Sequence, residues 1–434
     1  MMLEIYFETY GCTANYNSTE IMKGLVRQVG LNITQNENYA DLIVINSCVV
    51  KAPTQEKIRR RIQVLLKKHK RIILTGCMPQ INKESLVNIN GLYLLDTTHI
   101  KDIVNLIQYI NDGSCDSLKY LKQRNEVKSN LPKISKEKLI GINQISEGCL
   151  GECSYCIVKF AKGKLFSYPK DKIIESIKND LQAGAKEIWI TSQDNASYGN
   201  EDGEYFIPEL LNEILKIPGR FKIRLGMMNP DNVLKIISEL IEIYKHEKIF
   251  KFLHIPIQSG SDKILKTMKR KYTKTDILRI IKEFKKQIPK ITIATDIIVG
   301  FPGETQEDWN ETINVIKEIK PEILNRSNFC IREGTEAAKL TQLNPALIRQ
   351  RAKELQDLHL KICKEIQEQF LEKEMKVLVD RKGFENTYLA RDDSYKLVAV
   401  QSKDKILGKF LKVKIKKAIP HYLIGEVLDK DTNI

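Results

Sequence analysis

Near the middle of the chain three cysteines stand at a spacing that can do chemistry. Cys149, Cys153 and Cys156 form C-x3-C-x2-C within Glu147-Gly148-Cys149-Leu150-Gly151-Glu152-Cys153-Ser154-Tyr155-Cys156. Three thiolates on one short loop can hold three irons of a [4Fe–4S] cluster and leave the fourth iron without a protein ligand. That iron is then open to a small molecule. Zinc sites space their ligands differently, as two C-x2-C pairs or as Cys/His combinations. Gly148 and Gly151 would let the backbone wrap closely around a cluster. The competing reading is a chance grouping or an incomplete zinc site.

The chain has nine cysteines. An odd number, with three inside eight residues, is a poor disulfide framework. Cys12, Cys48 and Cys77 are far apart in sequence, but each follows an expected strand: Leu3–Phe7, Asp41–Asn46 and Arg71–Thr75. Parallel strands present their C-terminal ends on one edge. The three thiols would then converge there, as a second three-cysteine site with a free fourth position. The alternative is one buried structural cysteine per strand end. Cys115 falls in an expected linker and Cys363 in an expected helix, and neither is given a role. Cys330 follows a strand and could face a cavity, with packing as its simpler role.

The elements that must position these groups follow from the pattern. Residues 1–112 alternate strand and helix signals, with helices expected at Ser18–Val29 and Thr54–Lys70 and a weaker strand at Leu92–Leu95. Such alternation implies a parallel α/β domain. Residues 113–138 are polar, contain Gly113 and Pro132, and read as a linker. Over residues 139–370 the alternation resumes, with strands expected at Ile140–Ile145, Glu187–Thr191, Lys222–Leu225, Phe250–Ile255, Thr292–Val299 and Glu322–Phe329. Six units are too few for a closed eight-fold barrel and suit an open, partial (β/α)6 barrel. A long helical stretch, Pro345–Glu374, follows. Residues 371–434 change to short strands separated by turns, which predicts a small β-barrel.

Hydrophobic residues make up 42% and charged residues 29%, an ordinary globular composition. No run approaches the roughly 18 apolar residues of a membrane span, and no signal-peptide pattern opens the chain. A cytoplasmic location without a membrane partner is the expectation. The formal charge of +15 favours an anionic partner, nucleic acid foremost. Generic lysine-rich surface is the bland alternative.

The C-x3-C-x2-C spacing resembles that of the radical S-adenosylmethionine (SAM) superfamily. That resemblance implies SAM bound to the open iron and one-electron cleavage to a 5′-deoxyadenosyl radical. Downstream polar groups lie just after expected strand ends, where a barrel builds its site. Gln193 and Asp194 follow the second strand and could receive the SAM amino group, or simply cap a helix. Gln258, Ser259 and Ser261, around Gly260, suit a ribose or carboxylate, or an ordinary turn. Arg270 could pair with a carboxylate or a phosphate, or be a solvated charge. Asp296 and Gly300-Phe301-Pro302-Gly303-Glu304 fit an adenine or substrate edge. His254 reads as a satisfied core histidine.

Over nearly its whole length the chain resembles the methylthiotransferase family. The matching stretches are Thr9-Tyr10-Gly11-Cys12-Thr13-Ala14-Asn15, Ile45-Asn46-Ser47-Cys48, Thr75-Gly76-Cys77-Met78-Pro79-Gln80, the central loop, and Ile297-Ile298-Val299-Gly300-Phe301-Pro302-Gly303-Glu304. Gly148 to Ala161, with Thr191-Ser192-Gln193-Asp194, looks most like the archaeal and eukaryotic branch that acts on N6-threonylcarbamoyladenosine next to the anticodon of tRNA. The resemblance implies two [4Fe–4S] clusters, on Cys12, Cys48 and Cys77 and on Cys149, Cys153 and Cys156. It implies SAM as methyl donor and radical source, and attack of an adenine C2 radical on a methylated sulfur. It also implies an external electron donor and a sulfur source of unknown identity. The last 64 residues resemble a TRAM domain, an RNA-binding module. Where the family often has Arg-Pro-Gly-Thr, this chain has Arg332-Glu333-Gly334-Thr335.

Two surfaces are expected to meet RNA. Residues 375–434 carry 13 Lys/Arg against 8 Asp/Glu, with aromatic Phe384, Tyr388, Tyr395 and Tyr422 available for stacking. Lys57–Arg71 holds eight basic residues and no acid. One basic helix face would neutralise phosphates; a solvated face is the alternative. Related enzymes modify isopentenyladenosine in tRNA or an aspartate of a ribosomal protein. A non-catalytic iron–sulfur RNA-binding protein is the rival from another class.

Overall fold

The computed structural model describes residues 3–113 and 120–429, so Cys115 lies outside the described residues. Strand β1 (Glu4–Thr9), the two-residue β2 (Asn32–Ile33), β3 (Leu42–Ser47), β4 (Arg71–Gly76) and β5 (Leu92–Leu94) form one sheet in the order β2-β1-β3-β4-β5. All its pairings are parallel. Every residue of β3 is buried, as a central strand covered on both faces requires. Alternate residues feed opposite layers. Ile43 and Ile45 pack with Ile58, Ile62 and Leu65 of helix α2 (Ala52–Lys67). Leu42 and Val44 pack with Ile21, Met22 and Val26 of helix α1 (Thr13–Gln28). The chain leaves β1 in both directions across the sheet, so the edge beyond β1 and β3 is a topological switch point, where open α/β sheets bind ligands.

The second unit repeats the logic. Strand β6 (Ile140–Gln144) is followed by β7 (Ser146–Glu147) and β8 (Phe166–Ser167), an antiparallel pair that ties off the cysteine loop between them. Then come β9 (Glu187–Thr191), β10 (Lys222–Leu225), β11 (Phe252–His254), β12 (Thr292–Val299) and β13 (Ile323–Asn328). They form two three-stranded parallel sheets, β10-β9-β6 and β11-β12-β13, joined by a parallel bridge between Ile223 and Ile249. The result is the open six-strand barrel expected from the sequence. Its core is built from Ile188, Ile223, Leu253, Ile293 and Ile297 with the covering helices. The long helix Pro345–Glu368 packs beside β13, where the Cys363 thiol contacts the Glu322 carbonyl at 3.4 Å.

Strands β14 (Glu374–Lys382), β15 (Thr387–Asp392), β16 (Leu397–Gln401), β17 (Phe410–Ile419) and β18 (Tyr422–Asp429) close a barrel in the order β14-β15-β16-β18-β17. It docks against the N-terminal ends of the larger barrel's strands. Lys222 pairs with Asp393 at 2.5 Å, and the Tyr395 ring lies 4.9 Å from the rings of both Phe250 and Phe252. The cysteine loop is at the other end of those strands.

The segment read as a linker is, over residues 120–138, a packed strap rather than a solvated tether. Tyr120, Leu121, Glu126 and Lys128 are buried. Its charges are matched by long-range partners: Arg124 with Asp102 at 2.7 Å, Lys128 with Glu147 at 2.6 Å and Lys133 with Asp180 at 2.7 Å. Helix α1 carries Gly24 where the strap crosses it, and a β-carbon there would run into the Pro132 carbonyl. Gly24→Ala is therefore expected to lose about 1–3 kcal/mol by overpacking, despite the higher helix propensity of alanine. Denaturant unfolding measures the loss, and limited proteolysis should show faster cleavage within residues 120–138.

Candidate active site

The first thiol group sits where the three early loops are laced together at the switch-point edge. The Tyr10 amide donates to the Asn46 carbonyl at 2.8 Å, and the Cys77 amide to the Ser47 carbonyl at 3.1 Å. Side chains complete the lacing. Asn15 Nδ2 donates to Asn46 Oδ1 and to the Ser47 carbonyl, both at 2.8 Å. Asn46 Nδ2 donates to the Asn15 carbonyl at 2.8 Å, and Ser47 Oγ to the Thr75 carbonyl at 2.5 Å. Gly76 has φ +88, and a β-carbon there would collide with Ser47, so glycine lets the third loop close on the second. The residues flanking each cysteine thus hold the loops in register.

Cys12, Cys48 and Cys77 converge in that lacing. Burial pushes the Cys48 thiol up, with the charge of Cys12 adding to the rise. Burial pushes Cys77 up to about 12, with Lys162 opposing and both Cys12 and Cys48 reinforcing. Cys12 is exposed and the other two are buried, so the group opens to one side.

The central loop is fixed as firmly. Gly148 has φ +79, and any β-carbon there would strike the Lys164 carbonyl. Its amide donates to Gln193 Oε1 at 2.9 Å. The Gly151 amide donates to Cys149 Sγ at 3.2 Å, and Arg270 Nη1 donates to Cys153 Sγ at 3.2 Å. The Ser154 amide and hydroxyl are held by the carbonyls of Met268 and Thr267 at 3.0 and 2.8 Å. Burial pushes Cys149 up to about 12, with Asp194, Cys156 and Cys153 adding to the rise. All three cysteines are partly exposed as residues.

A buried ionic triad joins the two groups. Glu147, immediately before the loop, accepts from Lys128 Nζ at 2.6 Å and from Lys162 Nζ at 2.8 Å. Thr97, from the first domain, bonds Glu147 at 3.1 Å and Lys162 at 3.0 Å. Burial alone would raise the Glu147 pKa, but the two ammonium groups outweigh it and bring it from 4.5 to about 2. The triad has two positive charges and one negative. The surplus on Lys162 acts on Cys77 and Cys12. Nothing in the sequence marked these residues, because partners 15 to 65 positions apart show no local pattern.

The other anticipated residues divide. Gln193, Arg270 and Asp296 lie at the cysteine end. Asp296 Oδ2 meets His254 Nε2 at 2.7 Å, so His254 belongs to this polar edge rather than to the core. Asp194 is spent on structure: it caps the turn Asn195–Ser197 and accepts from Asn229 and Asn232 at 2.9 and 2.6 Å. Gln258 takes φ +64 and pairs by its backbone with β12. Ser259 turns to Thr312 at 3.3 Å and Ser261 to Asp308 at 2.7 Å, both on the helix Gln306–Ile319. Glu304 is buried against Arg351 at 2.7 Å.

The expected RNA surfaces are also redistributed. On the basic segment Arg61 pairs with Glu8 at 2.5 Å and with Glu37, Arg60 pairs with Glu56 at 2.8 Å, and Lys70 donates to the Ala40 carbonyl at 2.6 Å. Arg60 and Arg61 are thus neutralised at home, while Lys70 is held in place with its charge uncancelled. In the small barrel Tyr388 and Tyr395 are buried, while Phe384 is 83% exposed. Tyr388 belongs to the barrel core and Tyr395 to the docking face, which leaves Phe384 and the half-exposed Tyr422 for stacking.

The donor chemistry fits iron–sulfur clusters. Each group is thiol only, the ligand type such clusters take. A buried thiol near pKa 12 is neutral by itself and becomes a ligand only opposite a positive metal. Among the described residues no three His, Cys, Asp or Glu side chains are close enough to share one metal ion. A four-iron cluster takes one thiolate per iron and so spreads its ligands more widely.

Removing the charge of Glu147 should be costly, since two buried ammonium groups lose their counter-charge. Glu147→Gln is expected to destabilise the iron-free chain by about 3–5 kcal/mol in denaturant unfolding. The pH sign follows. A carboxylate depressed from 4.5 to about 2 contributes stability that is fully present above about pH 4.5 and is lost as pH falls toward 2. The wild type should therefore lose more stability across that window than the variant.

Residues 143–316 match the radical SAM superfamily, residues 4–95 an uncharacterised protein family (UPF0004), and residues 369–428 the TRAM domain. A probable threonylcarbamoyladenosine tRNA methylthiotransferase of Pyrococcus horikoshii is 38% identical over 428 residues, covering 98% of this chain and 100% of that protein. The Archaeoglobus fulgidus counterpart is 37% identical over 98% of this chain and 99% of its own. A human threonylcarbamoyladenosine tRNA methylthiotransferase is 35% identical over 98% of this chain and 74% of its own length. Among solved structures, a radical SAM methyltransferase from Kitasatospora setae shares the fold, with TM-score 0.58 and 13% identity over 78% of this chain and 75% of that one. With a radical SAM domain, a TRAM domain and relatives of this identity over its full length, the chain belongs to the threonylcarbamoyladenosine tRNA methylthiotransferase family.

Proposed function

We propose that this enzyme uses SAM and two [4Fe–4S] clusters, one on each thiol group, to place a methylthio substituent at C2 of N6-threonylcarbamoyladenosine beside the anticodon of tRNA. One observation carries the reading. Two three-thiol groups, each at the C-terminal edge of its own parallel sheet, are locked to each other through Lys128, Glu147 and Lys162. A cavity where the first domain meets the barrel is lined by Val49 and Ile157, the chain neighbours of Cys48 and Cys156.

When bound, SAM with a cluster on Cys149, Cys153 and Cys156 would supply hydrogen-atom abstraction after one-electron reduction, and the group on Cys12, Cys48 and Cys77 would supply sulfur. The chain's own residues do the positioning. Gln193 pins the Gly148 amide and so sets the angle of the loop. Arg270 is oriented by Asn229 Oδ1 at 2.7 Å and the Pro256 carbonyl at 3.2 Å, and places a fixed positive charge on Cys153. His254 and Asp296 offer a polar edge to SAM or adenine. The electron donor and the sulfur source come from outside the chain.

RNA would have to reach both ends of the larger barrel. The small barrel docks at the strand N-termini, and the eight residues of β12 span about 26 Å to the thiol end. The tRNA body would meet the basic small barrel, with Phe384 as a stacking platform, while the anticodon loop enters between the thiol groups.

Anaerobic reconstitution with SAM, reductant and threonylcarbamoylated tRNA, followed by nucleoside mass spectrometry, tests the reading. The wild type should bind about eight irons per chain and form the methylthio product. Cys77→Ala should bind about four, still release 5′-deoxyadenosine and give no methylthio nucleoside. Cys149→Ala should give neither. Product on isopentenyladenosine or on a ribosomal protein, with none on the threonylcarbamoylated tRNA, would refute the substrate assignment.

A further inference from the structure

The cavity lined by Val49 and Ile157, next to Cys48 and Cys156 in the chain, has a volume of about 320 Å³, at the small end of the roughly 300–1,000 Å³ typical of small-ligand sites. Its chemistry is uneven. Val49, Ile81, Ile157 and Ile331 give it apolar walls, and Arg332 projects a charge into them from the loop after β13. Arg332 Nη1 donates to Gln55 Oε1 at 2.8 Å and Nη2 to the Val50 carbonyl at 2.7 Å. Both acceptors are neutral, and among the described residues no carboxylate pairs with this half-buried guanidinium. A guanidinium has five N–H donors in a rigid fork, so further donors remain for a ligand. Two carboxylates also line the cavity. Glu56 is engaged with Arg60 at 2.8 Å, and Glu333 is exposed. Arg59, also exposed, adds a second positive charge at the mouth.

A partly desolvated cation held by neutral groups is matched by an anion, and a planar fork is matched best by a carboxylate. The substrate proposed above has one. A threonine joined to N6 through a carbonyl retains its free carboxylate, whereas an alkyl substituent at N6 has none. We propose that the cavity receives this carboxylate on Arg332, with Arg59 assisting at the entrance, so that the charged end of the N6 substituent is held by ion pairing. The inference rests on the function proposed above.

The test uses reconstituted full-length enzyme and two anticodon stem-loop RNAs, identical except that one carries the threonylcarbamoyl carboxylate as its methyl ester. Binding of each RNA and kcat/KM for methylthio product are measured at one salt concentration, with iron content as the control for intact clusters. The wild type should favour the acid by about 10- to 100-fold, the worth of one hydrogen-bonded charge. Arg332→Gln should reduce that preference to about threefold or less, through loss on the acid RNA alone. Arg332→Lys should retain part of it. Arg59→Gln, at an exposed position that cannot compromise folding, should lower the preference in the same direction by a smaller factor. If Arg332→Gln fails to take up iron, Arg59→Gln and the binding preference of the wild type decide the matter. An unchanged preference in the glutamine variants, or none in the wild type, overturns the inference and leaves the proposed function standing. A wild type inert on the acid RNA with full iron content overturns both.

Discussion

The buried triad of Lys128, Glu147 and Lys162 is the constraint on which the rest depends. Its members come from the strap, from β7 before the cysteine loop and from the helix Val158–Lys162 after it, and Thr97 ties in the first domain. Two ammonium groups share one carboxylate with almost no exposure to water. Separating the first domain from the barrel would leave unpaired charge in apolar surroundings, a penalty of several kcal/mol per ion. The two thiol groups are therefore set relative to each other by electrostatics, while each is set within its own sheet by packing. A reaction that passes an atom between two sites needs that kind of fixed relation.

Sheet topology does the rest of the placement. In both α/β units the thiols lie at strand C-termini, the edge where the strand-to-helix loops of a parallel sheet meet and build sites. Because the small barrel occupies the opposite edge of the larger one, its basic surface cannot contribute side chains to the thiol region. Recognition of the RNA body and chemistry on one base are thereby separated by the length of a strand. The cavity, by contrast, takes its walls from the first domain and from the barrel together, and is complete only when both are in contact.

What was legible in the sequence was what local pattern can express. The central strands Leu42–Ser47 and Thr292–Val299 read correctly because strands covered on both faces are continuous apolar runs. The strands that precede the early cysteines, Glu4–Thr9, Leu42–Ser47 and Arg71–Gly76, were legible as well, and each cysteine stands just beyond a strand end. The two-residue β2 was missed, since two residues carry no period. The strap was misread because its polar residues look solvated until their partners, Glu147 and Asp180, are brought from elsewhere. The same blindness applies to Glu304, to Arg61, and to Tyr388 and Tyr395. Residue type suggested a ligand or an RNA contact, and long-range packing assigned each to an internal partner.

The distribution of positive charge shows the same design from the side of the thiols. Arg270 donates to Cys153, Lys162 acts on Cys77, and Arg332 acts on Cys48. Lys162 and Arg332 oppose the effect of burial, which by itself drives Cys77 and Cys48 toward the neutral form. Lysine suffices where the partner is a point charge shared with Glu147. Arginine stands where a direction must be held, since its planar fork can bond carbonyls on one side and a thiol or a ligand on the other. Arg270 and Arg332 are both anchored in that way, on the Pro256 and Val50 carbonyls. Fixing a cation through neutral acceptors leaves its charge uncancelled. That uncancelled charge is what a thiolate, or an anion entering the cavity, can then use.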